Sequence, residues 1–190
     1  MAQQVEQVVS DKIGYRNLLF FLLLYIFGSP FLDPYPSLAV LAHTSLSFVL
    51  LFSVYAVQKQ QGHRSVAMVL LLPVMALYWL GIHEILVFGR VGSYLILALY
   101  FGLLAFSFAL QLGRIKKITL NVIYGTLCLY LITGLFWGTL YALHYAISPG
   151  SYSGALLDSS KGEILSIFNY FSMVTLTTLG YGDITPQTPG

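Results

Sequence analysis

Apolar residues in this chain fall into long blocks separated by short polar breaks. Five blocks are long enough for a helix to cross a hydrocarbon layer, which takes about 20 residues. They cover Tyr15–Leu32, Ser37–Val57, Ser65–Phe88, Gly92–Leu112 and Ile118–Ile147. The breaks are Asp33-Pro34-Tyr35-Pro36, Gln58–Arg64, Gly89-Arg90-Val91 and Gly113–Lys117, all rich in turn residues or charge. Pro73 lies inside the third block, where it favours a kink and neighbouring helices can satisfy the freed carbonyl. A further apolar stretch, Ile164–Leu176, spans only about 20 Å as a helix, too short to cross. The pattern predicts an all-α membrane protein with five transmembrane helices followed by a short helix that enters and returns on one side.

Composition agrees. Apolar residues make up 57% of the 190 residues and charged residues 8%, against about 25% charged in ordinary soluble domains. A soluble domain of this size must expose a large share of its residues, so a lipid bilayer is the expected surrounding. The net charge of +2 gives no reason to expect a nucleic-acid partner. The lone Cys128 sits in an apolar run and reads as packing. Lys12 and Arg16 precede the apolar stretch Leu18–Phe27, but no clear cleavage site follows, so the segment reads as a span rather than a leader.

Charge position sets orientation. Lys12, Arg16, Lys59, Arg64, Arg114, Lys116 and Lys117 share one side, and only Arg90 and Lys161 fall on the other. The amino terminus is therefore expected in the cytoplasm, with the fifth span ending outside. Four regions follow: a cytoplasmic segment 1–14, a four-helix membrane region 15–112, a basic cytoplasmic linker 113–117, and a unit 118–190.

The tail carries the candidate chemistry. After a polar external loop, Ser160 and Glu163 match a capping box at the start of the short helix. The helix is followed by Thr177-Thr178-Leu179-Gly180-Tyr181-Gly182-Asp183. A cation leaving water needs its hydration oxygens replaced, and a row of backbone carbonyls turned the same way can do this. Glycine tolerates φ > 0 and permits that turn. Thr178 offers a carbonyl and a hydroxyl, and Tyr181 is large enough to brace the segment from behind. The carbonyl end of the short helix carries partial negative charge, which favours a cation. Non-helical backbone at membrane depth is tolerated only where it lines a cavity.

Tyr170-Phe171-Ser172-Met173-Val174-Thr175-Leu176-Thr177-Thr178-Leu179-Gly180-Tyr181-Gly182-Asp183-Ile184-Thr185-Pro186 resembles the pore region of potassium channels, prokaryotic ones in particular. The resemblance implies a homotetramer, because each chain brings one filter strand. It implies ion-facing carbonyls from Thr178, Leu179, Gly180 and Tyr181 around K+, and an outer mouth at Gly182 and Asp183. Leu179 replaces the commoner valine. Val174 stands where some relatives carry a glutamate bonded near the mouth aspartate, so that support is expected to be missing.

Two departures from the resemblance matter. Voltage-gated relatives carry an arginine at every third position of the fourth span, whereas Gly92–Leu112 has none. Each charge moved through 100 mV is worth about 2.3 kcal/mol, so strong voltage gating is not expected. The family also places an inner helix after the filter, while this sequence ends at Gly190. A fragment, or a truncated product, is expected on that account.

Other candidates are weaker. His83 and Glu84 lie near the outer end of the third span and read as a snorkelling or paired group, with Arg90 a possible partner. His43, His83 and His144 all fall near external span ends, where they would sense protons or bind metal, but without tight ligand spacing. His63 belongs to a cytoplasmic loop, and Asp33 to a turn. No nucleophile, phosphate-binding loop or paired catalytic carboxylates stand in a workable arrangement, so the chain is expected to be a non-enzyme without cofactor, K+ being the permeant ion. The expected activity is passive potassium conduction across the plasma membrane, or the inner membrane if the source is bacterial. Three alternatives stay open: a non-conducting accessory subunit, a potassium transporter subunit and a nonselective cation channel.

Overall fold

The computed structural model describes residues 15–28, 31, 44–53, 71–72, 75–76, 87–115, 117–158 and 164–188. The larger elements are α1 (Tyr15–Gly28), α2 (Thr44–Ser53), α3 (Val87–Gly113) and α4 (Leu120–Ile147). They are followed by β1 (Tyr152–Ser153), the short α5 (Ala155–Asp158), α6 (Ile164–Leu176) and β2 (Thr185–Pro186). Two helices are long and apolar enough to cross a membrane, Arg90–Gly113 within α3 and Leu120–Ile147. The first three predicted spans are described only in part: α1, α2 and the helical residues 71–72 and 75–76. Pro73 lies outside the described residues.

The predicted break at Gly89-Arg90-Val91 is corrected by α3, which is already helical from Val87. No proline interrupts it, and a glycine costs a helix only about 1 kcal/mol relative to alanine. The end of α4 falls at Ile147, as the apolar pattern predicts. There Ser148 N–H donates to the His144 carbonyl at 2.9 Å, and Ser151 N–H donates to the Ser148 carbonyl at 3.1 Å. Pro149 followed by Gly150 at φ +94° gives this turn the chemistry of type II.

Helix α1 packs on both long helices. The Tyr15 hydroxyl donates to Gln111 Oε1 at 2.9 Å, and its ring meets Phe108 edge-on with centroids 5.6 Å apart. Cys128 Sγ lies 3.5 Å from the Tyr15 carbonyl. The start of α1, the end of α3 and the start of α4 thus share one end of the bundle. Tyr100 on α3 donates to the Leu50 carbonyl at 2.8 Å and lies 2.8 Å from Ser53 Oγ, tying in α2. The buried core is continuous from Leu18, Leu22 and Tyr25 through Leu97 and Phe101 to Ile132, Leu135 and Phe168. Phe20, Leu99, Phe106 and Ile123 are exposed on the helix surfaces, as suits helices surrounded by lipid.

A small β ladder modifies the purely helical expectation. Tyr152 pairs with Pro186 and Ser153 with Thr185, antiparallel, and Gln187 N–H donates to the Ser151 carbonyl at 2.8 Å. Strands of two residues leave no alternating pattern to read in a sequence. The ladder joins the loop after α4 to the chain beyond Gly182.

Candidate functional site

Helix α6 covers Ile164–Leu176, the extent the apolar stretch predicts. It sits against α4 at two glycines one turn apart. A Cβ on Gly134 would collide with the Met173 side chain, and one on Gly138 would meet Asn169 Oδ1, Asn169 Cα at 2.9 Å and the Phe168 carbonyl at 3.1 Å. Small residues allow this close approach of helices. Ser172 Oγ donates to the Gly134 carbonyl at 2.7 Å. Outside the cleft, Phe168 meets Tyr152 at 5.0 Å and Phe171 meets Tyr141 at 5.1 Å, both edge-on. The short helix is therefore held by shape, a hydrogen bond and an aromatic cluster.

Its last turn closes in a defined way. Thr178 N–H donates to the Thr175 carbonyl at 3.0 Å and Leu179 N–H to the Val174 carbonyl at 3.1 Å. This pair of bonds is the Schellman closure, and Thr178 occupies the left-handed position that glycine usually fills. Its φ is +58°. A β-branched residue there is strained, at a cost on the order of 1–3 kcal/mol.

The same handedness recurs along the segment. Thr178, Gly180 and Gly182 have φ of +58°, +57° and +74°, while Leu179 and Tyr181 between them are not in the positive region. In an ordinary strand successive carbonyls point to opposite sides. Positive φ at alternate positions can instead turn successive carbonyls toward one side. Residues 177–182 are all exposed in the single chain, with Leu179 at 57% and Tyr181 at 66%. No atom stands within 4 Å of the position a Cβ would take on Gly180 or Gly182.

Asp183, by contrast, is anchored. Tyr170 O–H donates to its Oδ2 at 2.7 Å, and Ile184 N–H donates to its Oδ1 at 3.1 Å. Gly154 packs so closely on the Asp183 carbonyl that a Cβ would overlap it. Tyr170 thus supplies a support that sequence reading expected to be missing at Val174, which is buried and apolar. Tyr170→Phe is expected to raise amide hydrogen exchange across residues 181–186 about tenfold. That follows from losing a bond to a charged acceptor, worth roughly 1.5 kcal/mol at the low end. Exchange equal to the parent would show that the bond does not hold the segment.

The structure brings Thr178, Leu179, Gly180, Tyr181, Gly182 and Asp183 together as one continuous segment at the end of α6. Ser160 and Glu163 lie outside the described residues, as do His43, His83 and Glu84. His144 lies at the end of α4 with Nδ1 3.3 Å from the Tyr152 hydroxyl. Among the described residues no group of three or more His, Cys, Asp or Glu is placed to hold a metal ion. Sequence reading missed Gly134, Gly138 and Asn169, and gave Tyr170 and Ser172 no individual role. The spacing of Gly134 and Gly138 was the one available signal, since residues four apart share a helix face.

Residues 125–190 match a family model described as ion channel. No curated protein and no solved structure matches the chain. The matched residues take in most of α4, the β ladder, α6 and the segment with positive φ at alternate positions. Together with the apolar helices they support an ion channel family, set in a lipid bilayer, as the group to which this part of the chain is similar.

Proposed function

We propose that the chain is one subunit of a potassium-selective channel in which four copies surround a single ion path. The reading is carried by the alternation of positive φ at Thr178, Gly180 and Gly182. With that backbone, carbonyls of Thr178, Leu179, Gly180 and Tyr181 replace the hydration shell of K+. Gly182 and Asp183 form the outer mouth, and the carbonyl end of α6 favours the cation through its partial negative charge. One chain supplies one strand of such a cage, and the exposed flanks of Leu179 and Tyr181 are surfaces for neighbouring subunits to cover. Conduction is passive, and no residue is assigned a catalytic role.

The test is cation-dependent stability followed by current. Purified protein in lipid should unfold at a higher temperature in potassium chloride than in sodium chloride of equal concentration. A ligand at 100 times its Kd stabilises by about 2.7 kcal/mol. In planar bilayers the reversal potential should follow the potassium gradient. Equal stabilisation by both cations, with a reversal potential indifferent to exchanging them, defeats the proposal and favours a nonselective cation channel.

A further inference from the structure

We infer that α1 positions α6 through Tyr25 and Asn169, and so sets how strongly the Thr178–Gly182 segment prefers potassium; this rests on reading that segment as a potassium filter. Asn169 Nδ2 donates to the Tyr25 hydroxyl oxygen at 3.2 Å, joining residues 144 positions apart. Both are buried, Tyr25 at 2% exposure and Asn169 at 6%. Apolar neighbours dominate this core, so a polar pair here specifies register. Sliding α1 by one turn would break the bond, and a buried amide such as that of Asn169 is costly to leave without it.

Asn169 is also gripped from the opposite side. Its Oδ1 and Cα lie where a side chain on Gly138 would stand, and Oδ1 has no hydrogen-bond partner among the described residues. The amide is thus wedged between α1 and α4, with its one described bond directed to α1. Asn169 lies seven positions before the last helical residue, Leu176, about 10 Å of helix, and the Schellman closure passes directly from α6 into Thr178. No flexible linker intervenes. A shift of α6 at Asn169 therefore reaches the first carbonyl of the segment. Binding sites lose affinity when their groups are no longer held in place before the ligand arrives.

The experiment compares the full chain in lipid with Tyr25→Phe, Asn169→Leu and the double variant. Thermal midpoints are read in potassium chloride and in sodium chloride of equal concentration. Each single variant is expected to shrink the potassium-over-sodium increment, equivalent to a roughly two- to tenfold weaker apparent potassium affinity. The double variant removes both members of the pair, and its increment should be reduced no further than in the single variants. A purely structural bond would lower midpoints equally in both salts and leave the increment at the parental value, and that result overturns the inference while the filter reading stands. If the unaltered chain shows no increment, the filter reading fails and the inference falls with it. Should Asn169→Leu not fold, Tyr25→Phe keeps the ring and the core volume and decides the matter alone.

Discussion

Gly180→Ala is expected to abolish the proposed preference for potassium over sodium, and Gly182→Ala to do the same. At φ of +57° and +74° an L-residue costs roughly 1–2 kcal/mol more than at its preferred angles. In the proposed fourfold assembly one substitution is repeated in every subunit, about 4–8 kcal/mol per ring of carbonyls. Turning the residue back to negative φ relieves that cost and swings its carbonyl out of line. The space around each glycine is open within its own chain, so a steric effect inside the subunit cannot account for the change. Gly150→Ala is the matched control. It carries a similar strain at φ +94° in the turn after α4, and should cost stability without altering selectivity. The measurement is the potassium-to-sodium permeability ratio from reversal potentials. An unchanged ratio in a folded Gly180→Ala channel would remove the backbone-carbonyl account.

Gly138→Ala is expected to cause the largest loss of folded protein. The added methyl would meet the Asn169 side chain and the backbone of both Asn169 and Phe168. Backbone cannot rotate away as the end of a flexible side chain can. Overpacking of a core usually costs about 1–3 kcal/mol, and the upper part of that range applies where α6 as a whole must move. Displacing α6 would also strain the bond from Ser172 to the Gly134 carbonyl and that from Asn169 to Tyr25. The check is the yield of folded protein in size-exclusion chromatography, together with its thermal midpoint. Gly134→Ala is a milder comparison, because the clash there is with the end of the Met173 side chain. If Gly138→Ala folds as well as the parent, the close seat of α6 on α4 is not required.

Much of the site was legible before any coordinates. The short helix had an apolar run with a definite end, and that end at Leu176 was read correctly. The glycines at 180 and 182 signalled positive φ because few other residues tolerate it. Thr178 did not, since nothing about a threonine announces a left-handed backbone; its conformation follows from the helix closure onto Val174 and Thr175. The start of α3 was misplaced because a glycine and an arginine between apolar runs look like a break, yet neither prevents a helix. Tyr170 opened the stretch that resembles a channel pore but carried no role there, and only its position opposite Asp183 gives it one.

The order of residues by itself determined the membrane setting, the ends of α4 and α6 and the positive φ of Gly180 and Gly182, because hydropathy and glycine conformational freedom are local properties. The tertiary structure decided which surfaces meet. The seat of α6 on Gly134 and Gly138, the ladder joining Tyr152 to Pro186, and the contact of Tyr25 with Asn169 all join residues far apart along the chain. Such pairs form only when the packing of several helices leaves room for them, and no window of sequence contains that information.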